Sequence, residues 1–163
     1  MKQSALASKF IIAIVFVAAG CTKSPPEPAK TWSYSQSEDK LRGTVDTFAT
    51  ATSAENDEGR VANLTIRQRS VDGLSILVES SGSDIFDCMT ICEGVLKFDE
   101  NPPKTFHFVP PQGGMPSVIF STSDERGKLL KKIKEAKHVT MELNFLNKGR
   151  RQFEFNIAGL KDN

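Results

Sequence analysis

Arg60-Val-Ala-Asn-Leu-Thr-Ile-Arg67 alternates, with Ala62, Leu64 and Ile66 on one side and Asn63, Thr65 and Arg67 on the other. Successive side chains of a strand point to opposite faces, so this pattern describes a strand with one face buried and one wet. Asp72-Gly73 supplies a turn before Leu74 to Glu79, which completes a hairpin. The same period of two recurs through the chain. Thr44 to Ala51 is rich in Thr and β-formers, and Glu93 to Asp99 sets Val95 and Lys97 against Leu96 and Phe98. Lys104 to Val109 alternates Thr105, His107 and Val109 against Phe106 and Phe108, between Pro102-Pro103 and Pro110-Pro111-Gln112-Gly113-Gly114. Ser117 to Ser121 is a short apolar strand. Val139 to Phe145 and Gln152 to Ile157 form a second hairpin around Asn147-Lys148-Gly149.

Ser123 to Lys137 breaks that pattern. Leu129, Leu130, Ile133 and Ala136 fall at helical spacing, with Lys128, Lys131, Lys132 and Lys134 elsewhere on the wheel. Thr122 followed by Glu125 has the form of a capping box, and the lysines gather where the helix dipole favours cations. About eight strands and one late amphipathic helix predict a mainly β domain. The expected form is an antiparallel β-sandwich or flattened barrel with the helix packed on one edge or end. Eleven Phe against one Trp and one Tyr predict a core filled by Phe and β-branched side chains.

The N-terminus reads differently. Lys2 and Lys9 precede an unbroken apolar run from Phe10 to Ala19, which leads into Ala18-Ala19-Gly20-Cys21. A basic start, a short apolar stretch and small residues before a cleavage point describe a secretory signal. The run is about half of the roughly 20 residues that a spanning helix needs. Ala18-Ala19-Gly20-Cys21 resembles the lipobox of bacterial lipoproteins, with Ala18 where that family usually has Leu. The resemblance implies removal of residues 1–20 and acylation of Cys21. Thr22, in place of the Asp that favours inner-membrane retention, implies an outer-membrane lipoprotein facing the periplasm of a Gram-negative bacterium. Residues 21–30 carry Pro25, Pro26 and Pro28 among polar neighbours and read as a stiff tether. At about 3.1 Å per residue it reaches roughly 25–30 Å. Residues 31–163 then form one globular domain, opening at Trp32. The body is also similar to small Gram-negative lipoproteins with no assigned activity. Trp32-x-Tyr34, Cys88-x₃-Cys92 leading to Lys97-Phe98-Asp99, and Phe153-Glu-Phe-x-Ile-x-Gly-Leu160 carry that likeness.

An exported chain meets an oxidising compartment, so Cys88 and Cys92 are expected to pair. Bridged Cα atoms lie within about 7 Å. Four residues of strand span roughly 13 Å, so Met89-Thr90-Ile91 must fold back. A loop this small stabilises by only about 2 kcal/mol and pins a local bend. Cys88, Cys92, His107 and His138 lack the spacing of a zinc site, and no metal is expected.

Reactive constellations are scarce. His107 lies mid-strand and His138 at a helix-to-strand junction, with no nucleophile elbow anywhere. Gly127-Lys128 and Gly113-Gly114 are not phosphate loops. Asp84, Asp87, Asp99 and Glu100 do not follow a calcium loop and read as solvated carboxylates. Arg150-Arg151 reads as a solvent-facing pair. The whole chain holds 21 Lys and Arg against 20 Asp and Glu, which gives no argument for nucleic acid. No cofactor is expected, and no catalysis.

Two surfaces stand out. Lys128, Lys131, Lys132 and Lys134 make a basic helix face suited to an acidic partner or simply to solvent. Trp32 and Tyr34, alternating just after the tether, form either an edge strand that anchors the domain or an exposed aromatic contact site. The expected function is a lipid-anchored periplasmic binding or accessory module, reaching another envelope or secretion/transfer protein through a sheet edge or the basic helix. An inhibitor, immunity or surface-exclusion lipoprotein is the alternative. A cell-envelope hydrolase ranks third.

Overall fold

A computed structural model describes residues 31–113 and 116–161. The leader, Cys21 and the proline-rich tether lie outside the described residues. Among the described residues there are nine strands: β1 (Ser33–Asp39), β2 (Thr44–Thr52), β3 (Ala62–Arg69), β4 (Gly73–Ser80), β5 (Cys92–Phe98), β6 (Lys104–Val109), β7 (Val118–Ser121), β8 (His138–Phe145) and β9 (Gly149–Asn156). Among the same described residues a single helix, α1 (Arg126–Glu135), joins β7 to β8. The mainly β architecture with one late helix is the observed one.

All nine strands belong to one antiparallel sheet ordered β1-β2-β3-β4-β7-β6-β5-β8-β9. The sheet curls until its halves face each other around a shared core, and it does not close into a barrel. Its edges approach without forming a ladder. Instead three long-range hydrogen bonds tie them. Trp32 Nε1 donates to the Ile157 carbonyl (2.9 Å), Ala54 N donates to the Glu154 carbonyl (2.9 Å), and Lys161 N donates to the Tyr34 hydroxyl (2.9 Å).

Register explains which side chains enter the core. Ala51, Leu64 and Val78 lie opposite one another along β2, β3 and β4, and all are buried. On the far half Leu96, Met141 and Phe153 do the same along β5, β8 and β9. Among the described residues seven phenylalanines are buried: Phe86, Phe98, Phe106, Phe108, Phe145, Phe153 and Phe155. The helix adds Leu129 and Ile133, both fully buried. The wet face is not bare either. Thr65 on β3 is 8% exposed, and its hydroxyl meets that of Thr50 at 3.0 Å. Nearby, the Arg67 guanidinium stands 5.4 Å from the Phe120 ring centre. Long side chains of this kind shield apolar surface with their stems while their heads stay wet.

Two details of the sequence reading change. The helix begins at Arg126 rather than Ser123, and its N-cap residue is Glu125, with no side-chain cap hydrogen bond. The Thr122–Glu125 capping box does not form because the Glu125 carboxylate is taken elsewhere. Its Oε2 accepts the backbone N–H of His107 on β6. The acid thus fastens the helix start to the sheet. The second is the extent of β1: the edge strand suggested by Trp32 and Tyr34 runs over Ser33–Asp39, where no further apolar alternation marks its length. Its residues are exposed along nearly the whole length, as an edge strand permits.

Among the described glycines, Gly94 on β5 has the closest neighbours. A Cβ there would stand 2.8 Å from Leu143 Cδ2 and 2.8 Å from Phe108 Cε2. Both neighbours are buried, so neither has free space to move into. We expect Gly94→Ala to lower unfolding free energy by about 1–3 kcal/mol, the usual cost of overpacking. Chemical denaturation with an unchanged m-value checks this, and an unshifted midpoint would show that the core yields.

Candidate partner-binding surface

The loops at one end of the sheet gather around an inward-pointing arginine. Arg151 lies opposite Leu143 in the β8–β9 ladder, on the side that faces the core. Its side chain is only 10% exposed. A guanidinium at such a position is costly unless paired. Asp84, 3% exposed, supplies the counter-charge. Its Oδ2 accepts from Arg151 Nη1 at 2.8 Å, and its Oδ1 accepts from the Lys148 ammonium. Arg60 Nε stands 3.9 Å away, and Glu58 pairs with the other Arg151 nitrogen at 2.5 Å. The reading of Asp84 as a solvated carboxylate and of Arg151 as a surface charge is therefore corrected. Ladder register, which local sequence does not display, turns Arg151 inward and draws Asp84 after it.

The clasp positions the segment that follows. Phe86 bridges to Phe145, with ring centres 4.7 Å apart. Leu146 N donates to the Ile85 carbonyl, and Asp87 N donates to the Asn144 carbonyl, both at 2.9 Å. Cys88, 2% exposed, is thus seated in the core before the chain leaves it. The expected disulfide is present, with Cα atoms of Cys88 and Cys92 5.1 Å apart. Between them Met89 is 86% exposed and Ile91 is 65% exposed. Two large apolar side chains therefore project on a five-residue knuckle with a buried, cross-linked base. Leu146 lies on the adjoining turn and is 40% exposed. The sequence reading treated Met89 and Ile91 only as parts of a bend.

The surfaces named from sequence fall elsewhere. Lys131 pairs with Glu135 at 3.9 Å, and Lys132 lies 5.7 Å from the Phe98 ring centre. Lys128 and Lys134 are exposed. Trp32 is a half-buried anchor through its bond to Ile157. Tyr34 borders that closure, with Lys161 Nζ 5.5 Å from its ring centre. Beside it an apolar groove of about 210 Å³ runs between α1 and the inner face, lined by Ala49, Ile66, Leu74, Leu130 and Leu160.

The histidines do not meet. His107 pairs with Glu93 in the β5–β6 ladder, and its Nδ1 lies 3.3 Å from Glu125 Oε2. His138 lies past the other end of β5, where its carbonyl accepts from Asp99 N and its own N–H donates to Asp99 Oδ1. Glu93 to Phe98 spans about 16 Å at roughly 3.3 Å per residue, so the two imidazoles serve different ends of the sheet. Cys88 and Cys92 are consumed by their disulfide.

Comparison with family models, with curated proteins and with solved structures returned no match to this chain.

The clasp has a pH signature. The hydrogen bond from Lys148 is the largest cause holding the Asp84 carboxyl below its ordinary value; burial opposes it, and Lys148, Arg60 and Arg151 add charge in the same direction. A carboxyl with a lowered native pKa stabilises above its unfolded value of about 3.9, and that contribution fades as pH falls through the native pKa. We expect stability to decline as pH falls below about 4, and Asp84→Asn to flatten that decline. At neutral pH the variant should lose about 3 kcal/mol, because Arg151 remains buried without its charge partner. Denaturant melts between pH 2 and 7, as an order-of-magnitude range for linkage, check both slopes.

Proposed function

We propose that this chain is a lipid-anchored binding or accessory module on the periplasmic face of the outer membrane, held by acylated Cys21 and without chemistry of its own. Its role is to dock another envelope or secretion/transfer protein. The observation that carries this reading is the Met89–Ile91 knuckle. Exposed apolar surface gains roughly 25 cal/mol per Å² when covered, and a loop whose backbone is already pinned loses less entropy on docking. The disulfide, buried Cys88 and the Phe86–Phe145 contact supply that stiffness. Asp87 and Glu93 flank the knuckle and are both exposed. Their charges favour a protein socket with a cationic rim over an anionic lipid surface.

The same knuckle favours a second reading, as an inhibitor or immunity lipoprotein that inserts this pinned loop into a partner's cleft. Both readings share one surface and differ in consequence. Deletion followed by challenge with a phage, a plasmid donor or a toxin-delivering neighbour should raise susceptibility only under the second.

Two measurements test the leading proposal. Metabolic labelling with palmitate should mark the full chain, and Cys21→Ala should lose both the label and the membrane fraction. A photo-crosslinking residue at Met89 should give one discrete adduct in intact envelopes, reduced at least tenfold by Ile91→Asp. An equal adduct pattern at exposed Val71, or an Ile91→Asp chain that crosslinks as before, would remove the knuckle as the docking point.

A further inference from the structure

The two edges of the sheet are not equivalent. The β9 edge is engaged by the chain itself, through Ala54 N on the Glu154 carbonyl and Trp32 on the Ile157 carbonyl. The β1 edge has no such cover. Among the described residues, no backbone–backbone hydrogen bond outside the strand ladder reaches residues 33–38; Lys161 N bonds only the Tyr34 side-chain hydroxyl. Ser33 to Glu38 are all exposed. Natural edge strands are commonly guarded by Pro, by Lys, by a bulge or by brevity. This one is seven residues long, pairs with β2 without interruption from Ser33 to Asp39, and carries no Pro or Lys.

We infer that β1 is a self-association edge, on which a second copy of this chain adds its own β1 in antiparallel register centred on Gln36. Charge placement selects this occupant. Glu38 and Asp39 both lie at the C-terminal end of the strand. Antiparallel pairing about Gln36 sets Glu38 against the other copy's Tyr34 and Asp39 against its Ser33. The acids then lie at opposite ends of the added pair. Parallel pairing would stack each acid on its twin, and like charges directly opposite are destabilising. The remaining pairs are Ser35 against Ser37, which hydrogen-bond across strands, and Gln36 against Gln36. Beyond the strand, Leu41 is 93% exposed, and the same register carries it toward residue 31 of the other copy, next to Trp32. A two-fold pairing of this kind is isologous and closes at two copies. Pairing β1 with the other copy's β9 would leave a free edge and grow further, but β9 is already engaged. One added strand is a small interface, so the association is weak in dilute solution and gains from confinement on one membrane.

The test uses the full chain purified in detergent, with the unsubstituted protein in parallel as the control for Cys21. Directly opposite residues have Cβ atoms about 4.5–5.5 Å apart, against roughly 7–8 Å on the diagonal. Direct oxidation of Gln36→Cys should therefore give a covalent dimer above the control. A mixture of Ser35→Cys and Ser37→Cys chains should couple to each other several-fold more than either couples to itself. Ser35→Lys combined with Ser37→Lys places like charges across the dyad at exposed positions. That pair of changes should cut the Gln36→Cys dimer at least tenfold while leaving the thermal melt in place. Gln36→Cys at the control level overturns the inference. So does a dimer indifferent to the lysines, equal coupling within and between the two cysteine chains, or an adduct with a different protein at Gln36. The double-cysteine mixture decides the matter should the lysine chain fail to fold. The readout is chain mass, independent of lipid labelling. Failure here leaves the anchored-module proposal intact, and failure of labelling leaves this one intact.

Discussion

Trp32 donates its indole N–H to the Ile157 carbonyl across 125 residues of chain, joining the approach to the first strand to the exit from the last. Its importance follows from the architecture. A single sheet has no second sheet to cover its apolar face, so it must curl and use its own far half. The curl brings Ala51, Leu64 and Val78 on one half over Leu96, Met141 and Phe153 on the other. Each half buries what the other exposes. The hydrogen bonds of Trp32, Ala54 and Lys161 hold the curled edges without a ladder, and α1 fills the remaining opening with Leu129 and Ile133.

The ends of this curled sheet are organised by opposite means. At one end the cover is apolar and helical, and a carboxylate at the helix start, Glu125, bonds to the β6 backbone. At the other end the fold tolerates a buried arginine, paired with Glu58 and with Asp84, an acid that it shares with Lys148 and Arg60. A buried ion pair adds little net stability over well-packed apolar side chains, yet breaking one is costly. Its use here is geometric. It fixes the segment from Asp84 to Cys88 against the β8–β9 turn, and so aims the Met89–Ile91 knuckle outward on a rigid base.

Most of the fold was legible because period-two alternation survives wherever one face is buried. Arg60 to Arg67, Lys104 to Val109 and Gln152 to Ile157 each show it, and each lies largely within one strand, β3, β6 and β9 respectively. Asn147 and Gly149 adopt φ of 60° and 70°, as their turn required. β1 was legible only through the alternation of Trp32 and Tyr34, because an edge strand need not bury a face and its other side chains carry no pattern. The candidate surfaces were less legible. Trp32 stood out as a lone tryptophan, but its partner is a backbone carbonyl more than a hundred residues away. Thr122 and Glu125 matched a local motif, and a distant strand claimed the acid first.

What the chain's own pattern determined is therefore the set of strands, the helix, the Cys88–Cys92 bend and the phenylalanine core. These depend on spacing between near neighbours, which a linear reading contains. Only the tertiary structure decided that the strands make one curled sheet, that Arg151 turns inward to Asp84, and that Met89 and Ile91 stand exposed. Those outcomes depend on which strands pair and in what register. Register is set by the sum of many weak long-range contacts, and no short stretch of sequence records that sum.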